Sequence, residues 1–110
     1  MQYLIIILFF SNDGSGIFTT SFKPSPVMSS YLNAFVVSDF TYISNEDTKG
    51  PNETLQRIII SEDSIEKADL ALESSVAALK ALEDYVGFKY ELEKLDSIMV
   101  PGKGGAMENW

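Results

Sequence analysis

Residues 56–87 read QRIIISEDSIEKADLALESSVAALKALEDYVG, and two periods meet in that stretch. Gln56-Arg57-Ile58-Ile59-Ile60 is short, β-branched and preceded by turn-forming residues, the composition of a strand. After Ser61 the period changes. Ile65, Ala68, Leu72, Val76, Leu79, Leu82 and Val86 recur at helical spacing, which puts them on one face of a helix. Glu66, Asp69, Glu73, Lys80, Glu83 and Asp84 fall mostly elsewhere and are expected to face water. Asp63 followed by Glu66 has the pattern of an N-terminal capping box. Gly87 stands where a left-handed C-terminal cap belongs. A strand feeding an amphipathic helix predicts an α+β fold, and the acidic stretch from Glu62 to Asp96 reads as a solvated face rather than a ligand site.

Downstream of the helix, Tyr90 to Lys94 forms a short connection. Leu95-Asp96-Ser97-Ile98-Met99-Val100 reads as a strand entering Pro101-Gly102-Lys103-Gly104-Gly105, followed by Ala106-Met107-Glu108-Asn109-Trp110. Upstream, residues 45–53 are polar and contain a Gly50-Pro51 pair, the marks of a solvated loop. Within it, Asn52-Glu53-Thr54 is an N-glycosylation sequon. Tyr31 to Phe40 has two largely apolar alternating faces, which predicts a central strand covered on both sides, with Thr41 to Ser44 extending it or pairing beside it. Gly16 to Phe22 reads as a further strand, stopped by Lys23-Pro24-Ser25-Pro26 because proline cannot donate to a ladder. The apolar start, Met1 to Phe10, falls short of the roughly 20 residues that span a bilayer. A buried strand, a signal core or a mis-translated start accounts for it, although no Lys or Arg precedes it.

The chain has 110 residues and a net charge of −8. That is one small domain in size. Its only arginine is Arg57 and its seven lysines are scattered from Lys23 to Lys103, so no basic stripe can form and nucleic acid is an unsuitable partner. There is no histidine and no cysteine. Within these residues that excludes a disulfide, a Ser-His or Cys-His nucleophile pair and the usual donors of catalytic zinc.

The residues left to carry chemistry are at the end. A glycine run allows backbone to come close to a ligand, and Glu108 follows it. A carboxylate held there can accept hydrogen bonds from an ammonium group; an ordinary surface loop is the alternative reading.

Gly105-Ala106-Met107-Glu108-Asn109 resembles the exopeptidase signature of aminopeptidase-N-like zinc metallopeptidases. Other blocks agree in order. Met28 to Phe40 resembles the end of that family's N-terminal β-domain, Ala68 to Tyr85 its first catalytic-domain helix, and Lys94-Leu95-Asp96 with Pro101 the lead-in to the signature. The resemblance runs from about Thr19 to Trp110. It implies a β-domain end at residues 1–49, with 1–10 atypical. It also implies the opening strand, helix and strand of a thermolysin-like peptidase domain at residues 50–110.

The same resemblance implies a zinc-dependent aminopeptidase acting on peptides with free N-termini. Glu108 would bind the substrate α-amine, while the backbone of Gly105 and Ala106 would pair with the substrate. Met107 would line the pocket for the first residue, with core packing its alternative, and Asn109 would support the loop. Two departures stand out. Only Gly102, Lys103 and Gly104 separate the proline from the signature glycine, where the family has about four residues, so a tighter loop is expected. The H-E-x-x-H helix and its downstream glutamate do not occur in these residues, so the chain is expected to end upstream of the zinc site, bind no zinc itself and be inactive alone. A non-catalytic interaction or decoy module is the alternative function. By resemblance the full-length protein is expected at the plasma membrane or outside the cell, which the sequon at Asn52 fits, with the cytoplasm as alternative.

Overall fold

The computed structural model describes residues 24–102 and 104. The strand expected at Gly16–Phe22 and the apolar start Met1–Phe10 lie outside the described residues.

One compact unit runs from Asp39 to Gly104. Its elements are β1 (Thr41–Ser44), β2 (Leu55–Ile60), a 3₁₀ segment (Glu62–Lys67), α1 (Ala68–Val86) and β3 (Lys94–Ile98). The three strands form one mixed sheet in the order β1-β2-β3. β1 is antiparallel to β2, with Ile43 opposite Ile58. β3 is parallel to β2, with Asp96 opposite Arg57 and Ile98 opposite Ile59. A parallel neighbour requires a crossover, and α1 is that crossover.

The helix packs on one face of the sheet. Ile58, Ile60 and Ala68 are buried, and Ile43, Ile65, Ala71 and Leu72 close around them. Fully burying an isoleucine side chain contributes about 1.5–3 kcal/mol, so β2 supplies much of what holds this small core. Ala68 is fully buried at the first turn of α1, where a larger side chain would push the helix off the sheet. Further along, the hydroxyl of Ser75 donates to Oε1 of buried Gln56 at 2.7 Å, tying mid-helix to β2.

The helix is 19 residues long while the strands have four to six. At about 1.5 Å per helical residue and about 3.3 Å per strand residue, α1 outruns the sheet by roughly 10 Å. Leu82 and Val86 are therefore 58% and 46% exposed although they share the face of Ala68 and Leu72. The expected apolar face is present, but its last two members have no sheet beneath them.

Two local expectations are corrected. Asp63 is no helix cap: it lies inside the 3₁₀ segment, α1 begins at Ala68, and neither Ser61 nor Lys67 makes a side-chain cap bond. An N-cap residue must be extended while the next ones turn; the extended residue here is Ser61, two positions too early for the Asp63–Glu66 box. Gly87 does end the helix as expected, at φ 81° with its N–H on the carbonyl of Glu83.

The second correction concerns Tyr31–Phe40. Ser30–Leu32 is a 3₁₀ turn, and residues 33–40 join no ladder among the described residues. Tyr31, Phe35 and Val37 are exposed rather than covered. High β-propensity describes how a side chain fits a pleated, half-buried surface, not a preference of the backbone alone. Thr41–Ser44 is the strand instead. The loop after it is largely exposed, but Asn45 is buried. Its Oδ1 accepts the N–H of Gln56 at 2.8 Å and its Nδ2 donates to the carbonyl of Thr54, so one amide closes the β1–β2 connection.

Candidate functional site

On the sheet face opposite α1, charge replaces the apolar core. Arg57 of β2 forms a two-pronged ion pair with Asp96 of β3, Nε to Oδ1 at 2.7 Å and Nη2 to Oδ2 at 2.8 Å. Parallel register places the two residues side by side. Both side chains are nearly enclosed, at 9% and 6% exposure. Lys94, two residues earlier on the same strand face, adds a second cation to Oδ2. The Arg57 guanidinium lies 5.1 Å from the ring centre of Tyr42 on β1, so three strands meet at one arginine.

Burial works to raise the Asp96 carboxyl, but the bonds from Arg57 and Lys94 outweigh it and hold the group below the ordinary aspartate value. The bond to Asp96 raises Arg57 against the cost of burial. Burial and the nearby Asp96 charge push Tyr90 upward. The cluster is saturated with partners, which suits holding strands in register and leaves little of it to meet a substrate. Sequence reasoning passed over Arg57 and Asp96 as a pair. The available sign was Arg57 directly before the isoleucine run of β2 and an acidic residue, Asp96, within β3.

β3 carries this anchor toward the glycine loop. Its ladder continues past Ile98 through the N–H of Met99, which donates to the carbonyl of Ile59 at 2.9 Å. Pro101 and Gly102 then turn the chain, and Gly102 at φ 74° adopts the left-handed conformation that glycine takes without strain. The signature residues Gly105, Ala106, Met107, Glu108 and Asn109 lie outside the described residues, as does Lys103.

At the other end of the unit, Asn45, Glu53, Thr54, Gln56, Val76 and Glu83 border a shallow depression beside α1. The Glu83 carboxylate there accepts from Lys89 at 2.6 Å and from the N–H of Tyr90 at 2.9 Å. These bonds lower the Glu83 carboxyl and fasten the chain that leaves the helix. Glu83 was expected to face water; instead it is the partner of the turn that follows Gly87. Asn52 is exposed in the turn between β1 and β2. Among the described residues no group of three His, Cys, Asp or Glu side chains is placed to hold a metal ion, and no helix is long and apolar enough to cross a membrane.

No protein-family model matches the chain. Individual relatives do. It is 36% identical over 100 residues to mouse endoplasmic reticulum aminopeptidase 1, a match covering 90% of this chain and 10% of that protein. The aminopeptidase N of Plutella xylostella gives the same identity and coverage. Mouse glutamyl aminopeptidase is 37% identical over 92 residues, covering 83% of this chain and 9% of its own length. The chain thus spans about a tenth of the length of these relatives. Identity at this level along nearly the whole chain, shared with several aminopeptidases, means that it belongs to the aminopeptidase-N-like family.

Proposed function

We propose that this chain contributes the amine-binding part of a zinc-dependent aminopeptidase that removes N-terminal residues from peptides. The observation that carries the reading is 36–37% identity over most of the chain to proteins named aminopeptidases, joined to the sequence Gly105-Ala106-Met107-Glu108-Asn109. In this reading the Glu108 carboxylate pairs with the substrate α-ammonium through charge-assisted hydrogen bonds. That pairing places the first peptide bond, rather than a later one, at the reacting centre. Gly105 and Ala106 offer backbone to the substrate, Met107 borders the pocket for its first side chain, and Asn109 braces the loop. β1 is then the end of a β-domain, and β2, α1 and β3 open a thermolysin-like domain.

The residues present do not fit a zinc site. The sequence has neither histidine nor cysteine, and no suitable carboxylate group gathers among the described residues. Zinc in this reading is held by other parts of a full-length family member. The names of two relatives' products, endoplasmic reticulum aminopeptidases 1 and 2, support passage of the full-length protein through that compartment, on the route to the cell surface or exterior.

The test is a graft. Residues 19–110 replace the matching segment of a full-length aminopeptidase, and turnover of a leucine anilide is compared with and without Glu108→Gln. Losing a hydrogen bond to a charged group costs about 1.5–3 kcal/mol, roughly a 10- to 150-fold fall in kcat/KM. An unchanged kcat/KM would remove Glu108 from the reading. The 110-residue chain by itself is expected to turn over no leucine anilide with added zinc, and chelator-sensitive activity from it would contradict that.

A further inference from the structure

We propose that Asn52 is an N-linked glycan acceptor, occupied when the chain is made into the secretory lumen; the inference rests on the compartment proposed above. Of the asparagines at 12, 33, 45 and 52, only Asn52 has a hydroxyl residue two positions on, in Asn52-Glu53-Thr54. Neither Glu53 nor the following Leu55 is proline, so the acceptor can reach the conformation that transfer requires.

The fold presents this residue well. The N–H of Glu53 donates to the carbonyl of Gly50 at 3.1 Å, closing a four-residue turn with Pro51 and Asn52 at its tip. Proline pre-sets the first central position of such a turn and asparagine suits the second. The turn is braced by the N–H of Gly50, which donates to Oε2 of Glu53 at 2.8 Å. Pro51, Asn52 and Glu53 are all exposed, whereas Asn45, the other asparagine of this connection, is buried and bonded to Gln56 and Thr54. The tip lies before β2 begins, so a sugar on Asn52 interrupts no ladder bond.

Its position also separates it from the glycine loop. β2 and β3 run parallel from the Leu55–Lys94 pair to the Ile59–Ile98 pair. Asn52 precedes the first pair, while the chain leaves for Pro101 and Gly102 after the last. The ladder between them spans about 13 Å. A bulky, hydrophilic group at this end therefore leaves open the end from which the glycine loop departs.

The donor is a lipid-linked oligosaccharyl diphosphate. The Asn52 Nδ2 forms a bond to the anomeric carbon as the bond from that carbon to the diphosphate oxygen breaks. The lipid diphosphate leaves with the electron pair, Nδ2 gives up one proton to solvent, and nothing is oxidised or reduced.

The experiment expresses the full chain behind a cleavable secretion leader in animal cells and digests the leader-cleaved product with trypsin. Cuts after Lys49 and Arg57 release Gly50–Arg57. That peptide should appear only after peptide N-glycosidase treatment, with Asn52 converted to aspartate carrying heavy oxygen from the solvent. Asn52→Gln and Thr54→Ala should abolish the glycan, and Thr54→Ser should keep it. Recovery of the unmodified peptide from leader-cleaved wild-type chain overturns the proposal. Because the leader supplies delivery, that result is distinct from failure of the compartment reading, which would appear as an unmodified natural full-length protein beside a modified leader-delivered chain.

Discussion

At the Arg57–Asp96 pair two charges are held almost out of water, and what they gain depends on both being present. Removing one partner of a buried ion pair costs about 3–5 kcal/mol because the other charge is left uncompensated, while replacing both with apolar groups of similar volume is often neutral. Asp96→Ala is therefore expected to abolish most of the helical far-UV signal of this small unit. The double change Arg57→Met with Asp96→Leu should retain it; equal loss in both would mean that the pair does not hold the strands. The pH dependence follows from the same group. The folded-state carboxyl of Asp96 lies below its ordinary value of 3.8, so the stability it adds is complete above that value and is lost as pH falls through the folded-state value. Urea midpoints followed down to about pH 2 should drop in this acid range, and the double change Arg57→Met with Asp96→Leu should flatten that slope. A wild-type midpoint that falls between neutral pH and pH 5 must come from another group.

Among the elements, α1 shows most plainly how one residue type sets a boundary. Gly87 takes a positive φ with open space where a Cβ would go. Substitution there is costly through the backbone rather than through a clash, about 1 kcal/mol for alanine and less for asparagine, which tolerates the left-handed region. Urea midpoints should rank glycine above asparagine above alanine, and alanine matching glycine would show that the helix end is held by the Glu83 bonds to Lys89 and Tyr90 instead. The start of α1 was not readable in this way. The Asp63–Glu66 spacing is correct for a capping box, but 3₁₀ turns from Glu62 onward displace it. Local spacing reports the chance to cap; whether the chain enters the helix at that residue depends on where β2 releases it.

For the molecule as a whole, the compact unit leaves several large apolar side chains exposed. Leu70, Leu82, Tyr85, Val86, Phe88, Met99 and Val100 are all exposed, while among the described residues the buried hydrophobic side chains are Ile58, Ile59, Ile60 and Ala68. Exposed apolar side chains that gather into a patch drive association. The chain is expected to elute from size exclusion larger than a monomer at micromolar concentration. Leu82→Lys combined with Phe88→Lys should shift it toward monomer with unchanged far-UV signal. A monomeric wild-type chain with a cooperative thermal transition would count against this expectation.

The sequence by itself determined the amphipathic face of α1, its glycine end, strands read at Gln56–Ile60 and Leu95–Val100 that the structure sets at Leu55–Ile60 and Lys94–Ile98, and the family, because each rests on residue types at short spacing. The amine-binding candidates Gly105 to Asn109 were legible only as a motif, since the described residues stop at Gly104. Tertiary structure alone decided the rest. Which members of the apolar face are covered depended on a sheet shorter than the helix above it. That Tyr31–Phe40 joins no ladder among the described residues depended on partners that propensity does not supply. The joining of Arg57 to Asp96 across 39 positions depended on strand register, which no local period encodes.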